Sequence, residues 1–435
     1  MHPIQEIVSL QKKGVCIGIF SCCSANEYVL KAAMQRVKKN NSYLLIESTA
    51  NQVNQHGGYT GMTPADFYRY VNNLAKKENF PSHKLILGGD HLGPLTWTNM
   101  SEEHAMREAA ELVRQYVEAG FTKIHIDTSM RLADDDASVR LDEALIASRG
   151  AFLCEVAENA YLRKKAEDPD AIAPVYIIGS EVPIPGGAQE AEDSISITSA
   201  EDCEKTIQMF YEKFQERKLL DAWERVLGLV VQPGVEFGDS EVFDYEREKA
   251  QRLSAFIKNN KKFVFEGHST DYQTKENLRS MVEDGIAILK VGPALTYYLR
   301  EALFALENIE KEIFRDRNIT LSSFRKELEA AMLVNPGYWV KHYHGDEAGL
   351  RFSRAFSFSD RCRYYLGESK VQDSIMQLVK NLDSAEIPET LIMQYMPVQY
   401  ESVRKGVLPK QPESLILDRV GDCIDDYLFA TINAG

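Results

Sequence analysis

The chain has 435 residues, of which 44% are hydrophobic and 26% charged, with a formal net charge of −15. That length suits one large domain with an extension, and the composition is ordinary for a protein with a packed core. The acidity argues against a nucleic-acid backbone or an anionic membrane as partner; a phosphorylated small molecule would need only a local positive pocket.

Reduced thiols are expected, because the seven cysteines contain no CxxC pair. The adjacent Cys22 and Cys23 would point to opposite faces of a strand, so they read as small buried residues rather than a metal or redox pair. The opening Met-His-Pro-Ile-Gln-Glu has neither a basic region nor an apolar run of signal length. A cytoplasmic protein is expected.

Eight short apolar segments follow one another along the chain. They are Val15–Cys23, Tyr43–Thr49, Lys84–His91, Lys123–Ser129, Val175–Val182, Arg225–Gly234, Lys262–Ser269 and Ala287–Ala294. Several are continuously apolar and rich in Val and Ile, as suits parallel strands covered on both faces. Amphipathic helical stretches separate them. Ser24 is positioned to cap a helix from Ala25, Thr63-Pro64 to open another, and Ser101-Glu102-Glu103 to open one that closes near Ala119-Gly120. Strand and helix alternating eight times predict an α/β fold, a (β/α)₈ barrel over residues 1–314. Residues 315–435 break the pattern. Their aromatic clusters (Tyr338-Trp339, Tyr364-Tyr365) and Pro388, Pro397, Pro409 and Pro412 predict a helical C-terminal extension, packed on the barrel or making a homo-oligomer contact.

In such barrels the active site lies at the C-terminal ends of the strands. Those ends carry Glu47, Asp90-His91, Asp127, Glu181, Gln232, Glu266 with His268, and Lys290. Ionisable groups gathered on one rim cost several kcal/mol each unless paired or metal-bound, so their convergence points to chemistry. His91, His268, Glu181 and Gln232 form an N/O donor set suited to a divalent ion such as Zn²⁺, Mn²⁺ or Ni²⁺. His125 shares a face with Asp127 but deeper, as a residue behind the ligands; His268 has the plainer alternative of capping the next helix. Asp90 fits a carboxylate that moves a hydroxyl proton as a carbon–carbon bond breaks, with Asp127 and Glu181 as further proton-transfer candidates. Glu47, Asn51, Gln55, Lys290, Thr296 and Arg300 are candidates for holding substrate. The glycine-containing stretches after the second strand (residues 55–63) and after the fifth (183–187) read as covering loops. Neither is a Walker or dinucleotide fingerprint.

Several runs resemble the GatZ/KbaZ family, subunits of class II tagatose-1,6-bisphosphate aldolase. They are residues 48–55 (STANQVNQ), 57–66 (GGYTGMTPAD), 88–94 (GGDHLGP), 181–187 (EVPIPGG), 230–237 (VVQPGVEF), 268–274 (HSTDYQT) and 288–296 (ILKVGPALT). The likeness continues into the extension at residues 358–361 and 363–365. It implies a barrel related to class II aldolases, with Asp90 transferring protons and His91 and His268 binding zinc. Where catalytic relatives carry a third histidine ligand, this chain has Gln232. Where they carry a glycine-rich phosphate turn, it has His268 to Tyr272, with Asp271 opposing phosphate and Lys290, Thr296 and Arg300 left as a weak phosphate site. The resemblance therefore implies either a subunit supporting a separate catalytic aldolase subunit, or a stand-alone metal-dependent tagatose/fructose 4-epimerase. Its ligand would be a ketohexose or its phosphate.

Overall fold

The computed structural model describes residues 2–180 and 195–432. Eight parallel strands close into a barrel in chain order: β1 (Ile19–Cys22), β2 (Leu44–Thr49), β3 (Leu85–Leu92), β4 (Lys123–Ile126), β5 (Val175–Ile178), β6 (Val226–Val231), β7 (Val264–Gly267) and β8 (Ile286–Val291), with β8 pairing back on β1. Most are shorter than the apolar runs that predict them, because the runs continue into the loops at the strand ends. A two-stranded antiparallel hairpin, Glu236–Phe237 with Val242–Phe243, follows β6.

The outer helices turn one apolar face to the sheet. Helix Glu102–Ala119 buries Ala105, Ala109, Leu112, Val113 and Tyr116 at helical spacing, and Gly120 ends it in the left-handed region at φ 109°. Thr63 and Asp66 form a capping box at helix Pro64–Lys77, as expected. The expected cap at Ser24 lies two residues late: Asn26 caps helix Glu27–Lys39, and the Ser24 hydroxyl accepts from the Asn26 amide instead.

One helix had no counterpart in the strand–helix count. Pro3–Lys12 closes the bottom of the barrel, where Ile4, Ile7 and Val8 pack with Ile19, Leu45, Ile86, Val175, Ile177, Val264 and Ile288 from the strands. Each such buried side chain contributes about 1.5–3 kcal/mol of hydrophobic stabilisation. The helix is capped by the His2 imidazole, which accepts from the Ile4 amide at 3.2 Å.

After residue 314 the described chain is helical, and its last helix returns to the barrel. Pro412–Thr431 lies against the helices Glu27–Lys39, Lys275–Glu283 and Pro293–Ile313. The Tyr427 hydroxyl donates to the Thr270 carbonyl at 2.8 Å, and the Thr431 carbonyl accepts from the Gly18 amide at 2.9 Å. No helix among the described residues is long and apolar enough to cross a membrane. The seven cysteines are unpaired.

Candidate functional site

Inside the barrel, directly above the apolar floor, lies a layer of charge. Glu47, Gly88 and Lys123 stand level on three consecutive strands, and Gly88 is there because a Cβ would come within 2.7 Å of the Glu47 carboxylate. Lys123 Nζ is 2.8 Å from Glu47 and 2.6 Å from Glu266, while Lys290 Nζ is 2.6 Å from Glu47 and 2.8 Å from Asp90. All of these groups are buried. Burial opposes ionisation of Glu266, yet Lys123 and Lys290 hold it well below the usual carboxylate range. Lys290, penalised by burial, is held well above the ordinary lysine value by Asp90, Cys23 and Glu47. The layer is internally paired, which is what makes its burial tolerable.

On this layer stand Asp90, His91, His125 and His268, whose candidate ligand atoms all lie within 4.8 Å of one another. Each imidazole spends one nitrogen on orientation. His91 Nδ1 is 2.7 Å from Asp127, and His268 Nε2 is 3.0 Å from Glu266. His125 Nδ1 lies 2.9 Å from Asp90, and its Nε2 is buried without a hydrogen-bond partner. With the protons on the bonded nitrogens, His91 Nε2 and His268 Nδ1 are left as lone pairs, while His125 Nδ1 also accepts from the His91 backbone amide at 3.1 Å. Carboxylates behind ligand histidines are the usual way to fix ring orientation and basicity at a metal. These four residues could hold a divalent cation, with the partnerless His125 Nε2 open to it when the ring proton sits on Nδ1. Two backbone features set the geometry. His91 adopts φ 48°, turning its ring off the strand. Gly93 lets the end of β3 meet β4, since a Cβ there would sit 1.7 Å from the Asp127 carbonyl.

Protonation follows the same network. Burial opposes the Asp90 charge, but Lys290, His91 and His125 hold the group well below the ordinary value. Burial also disfavours the His91 cation, yet Asp90 and Asp127 raise its value above that of free histidine. His268 falls to about 4, because desolvation outweighs Glu266.

Asp90, His91 and His268 form the base of a pocket, with His125 fully buried beside them. Its walls include Asn51, Gln52, Tyr59, Phe237, Asp271 and Lys290 from the barrel side, and Arg363 and Tyr364 from the C-terminal segment. A second, adjoining pocket shares Gln52, Tyr59, Arg363 and Tyr364 with it and reaches Tyr338, Glu368 and Gln372.

The family model described as D-tagatose-1,6-bisphosphate aldolase subunit GatZ/KbaZ-like matches residues 4–432. The chain belongs to the GatZ/KbaZ-like family. Among solved structures, a probable tagatose 6 phosphate kinase from Sinorhizobium meliloti is 43% identical, with a TM-score of 0.86, covering 95% of this chain and 100% of that one. The YdjI aldolase from Escherichia coli K12 is 10% identical with a TM-score of 0.43, covering 88% of this chain and 97% of that one. Fructuronate-tagaturonate epimerase UxaE from Cohnella laeviribosi is 10% identical with a TM-score of 0.41, covering 95% and 82%.

The GatZ/KbaZ-like chain distributes the sequence candidates unevenly. Asp90, His91, His268, Asn51 and Lys290 line the pocket. Asp127 stands behind His91, and its Oδ1 also accepts from the Ser129 hydroxyl. Glu47 lies beneath the pocket in the ionic layer. His125 is not behind the cluster but in it, because the register puts it beside Asp90 rather than one layer down. His268 is not a helix cap; Thr274 caps helix Lys275–Glu283. Gln232 turns its amide oxygen to the Gly234 and Val235 amides, at 2.8 and 3.1 Å. Gln55 faces outward to Glu108. Thr296, on the wall of the second pocket, donates to Asp360 at 2.6 Å, and Arg300 pairs with the same Asp360 at 2.8 Å. Both brace the C-terminal segment. Glu181 and the stretch 183–187 lie outside the described residues.

Arg363 and Tyr364 are the functional candidates that sequence reasoning missed, although Arg363-Tyr364-Tyr365 was conspicuous as a motif. Nothing local says that a segment more than sixty residues beyond the last strand folds back over the rim.

Proposed function

We propose that this GatZ/KbaZ-type subunit carries a metal-dependent ketose site of its own and serves ketohexose metabolism alongside a catalytic class II aldolase subunit. The observation that carries it is the convergence of Asp90, His91, His125 and His268 within 4.8 Å, three of them lining a pocket. A structural partner gains no stability from four buried ionisable groups drawn together, one of them with a partnerless ring nitrogen. A bound divalent ion, with Zn²⁺, Mn²⁺ and Ni²⁺ as candidates, would supply Lewis-acid polarisation of a ketose carbonyl. Opening the C3–C4 bond requires the C4 hydroxyl proton to leave, its oxygen to become the aldehyde, and the bonding electrons to pass into an enolate. Asp90, held ionised, takes that proton. Lys290, held protonated by Glu47 and Asp90, has one N–H beyond those two contacts to offer the developing enolate as a hydrogen-bond donor.

A stand-alone tagatose/fructose 4-epimerase is the second reading, favoured by Asp271. In barrels of this type phosphate often binds near the loops after the seventh and eighth strands, at a helix N-terminus. Here the Asp271 carboxylate takes that place, accepting from the Gly292 and Ala294 amides at 3.0 and 2.8 Å. A bisphosphate loses one of its two anchoring positions. The test is to incubate the purified protein with Mn²⁺, Zn²⁺ or Ni²⁺ on D-fructose and D-tagatose, and separately to add it to a class II aldolase turning over D-tagatose 1,6-bisphosphate. Interconversion of the free sugars establishes the epimerase; increased aldolase turnover alone establishes the supporting subunit. Failure of both, with no metal bound, sinks the site.

A further inference from the structure

The cations around the pocket differ in one respect. Lys290 is neutralised by Glu47 and Asp90, and Arg300, behind the wall, by Asp360. Arg363 lines the pocket, but among the described residues no carboxylate forms an ion pair with it. Its guanidinium is held by neutral groups: Nη1 donates to the Ser359 and Asp360 carbonyls, and Nη2 to the Tyr364 hydroxyl at 3.1 Å. The Tyr364 hydroxyl also accepts from Arg361 at 3.3 Å, and the Tyr59 ring packs edge-on against Tyr364 with centroids 4.7 Å apart. This corner is braced from behind. The Tyr272 hydroxyl donates to the Phe358 carbonyl at 2.6 Å, and the Arg300 and Thr296 side chains fix Asp360 from the helix after β8.

A guanidinium that no carboxylate contacts directly, although Asp271 and Asp360 act on it from farther off, on a pocket wall beside aromatic rings, is the chemistry of an oxyanion receptor. The alternative anion position, the helix N-terminus after β8, is already filled by Asp271. We infer that Arg363, with Tyr364, binds the single anionic end of a ketose substrate, a phosphate ester or a carboxylate, while the carbonyl end lies at Asp90, His91, His125 and His268. The C-terminal segment would then be a specificity determinant of the barrel's site. This rests on the ketose reading above and adds to it which end of the sugar carries charge and which residue reads it.

The experiment is calorimetric titration of Mn²⁺-loaded protein with D-fructose, D-fructose 6-phosphate and D-fructuronate, for wild type, Arg363→Gln and Arg363→Lys. Wild type should bind at least one of the two anionic sugars about tenfold or more tighter than D-fructose, the scale of a charge-assisted bidentate contact. Which one wins separates phosphate from carboxylate. R363Q should bring that ratio to about one with metal content unchanged, and R363K, which keeps the charge but not the fork, should fall between. Equal affinity of wild type for all three sugars, or an undiminished ratio in R363Q, overturns the inference while leaving the ketose site standing. No binding of any sugar to wild type removes the ketose reading and this inference with it. Should R363Q fail to fold, the ratio in R363K decides: an undiminished value there overturns the inference.

Discussion

The pocket has two kinds of wall, and they are built by opposite means. The base belongs to the barrel strands, where Asp90, His91, His125 and His268 are buried and tied into the Glu47, Lys123, Glu266 and Lys290 layer. The far corner, Arg363 and Tyr364, arrives on a segment held to the barrel by a few specific contacts, chiefly Asp360 with Thr296 and Arg300. Groups that must keep fixed mutual distances stand on hydrogen-bonded strands. Groups that must only meet one end of a ligand stand on a loop braced from behind. Changes at the base should therefore cost stability or metal, and changes at the corner should cost recognition.

Four measurements test that division, from the largest effect down. Lys123→Met removes the lysine shared by Glu47 and Glu266, leaving two buried carboxylates with one buried ammonium group between them, and should cost about 3–5 kcal/mol, read as a lowered urea midpoint. A loss below about 1 kcal/mol would mean the layer is wetter than its burial implies.

Asp271 has its value raised to about 6, because burial outweighs the Gly292 and Ala294 amides that favour its charged form. A carboxyl raised in the folded state contributes stability below its unfolded value, near 4, and loses it as pH rises through about 6. Across that window wild type should lose up to about 3 kcal/mol relative to Asp271→Asn, whose amide oxygen can still accept from the helix. Parallel urea curves for the two proteins at pH 4.5 and 8 check this, and a constant difference would contradict it.

Asp127→Ala frees the His91 ring and should weaken Mn²⁺ or Zn²⁺ binding about 10–100-fold in a metal titration, with the fold retained. Undiminished metal affinity would show that His91 is not a ligand. The smallest effect belongs to the corner. Asp360→Asn keeps the shape but loosens the salt bridge to Arg300; it should weaken an anionic sugar several-fold, by about 1 kcal/mol, while metal affinity stays within twofold. Equal losses of metal and sugar would erase the distinction between the two walls.

Much of this was legible in the sequence, for physical reasons. Continuous Val- and Ile-rich runs announced two-faced parallel strands, and the Asp90-His91 and His268 motifs announced a polar rim. What was hidden depended on information that no local pattern carries. The helix at Pro3–Lys12 begins at a histidine, outside the usual Ser, Thr, Asp and Asn capping set. The depth of His125 depends on the stagger between β3 and β4, where the register shifts. Thr296 and Arg300 are polar and near the rim, so they pass for substrate groups until Asp360 is seen between them. Arg363 could be placed only by the fold-back of the whole segment.

The ionic layer has a consequence for how such a chain can change over generations. Its two carboxylates and two ammonium groups cancel, and each is held by a residue on another strand. Replacing any one of Glu47, Lys123, Glu266 or Lys290 alone exposes a buried charge, whereas replacing an acid and a base together need not. Descendants should therefore exchange these positions in pairs or keep them, which a comparison of aligned family members can read directly as correlated substitution across β2, β4, β7 and β8.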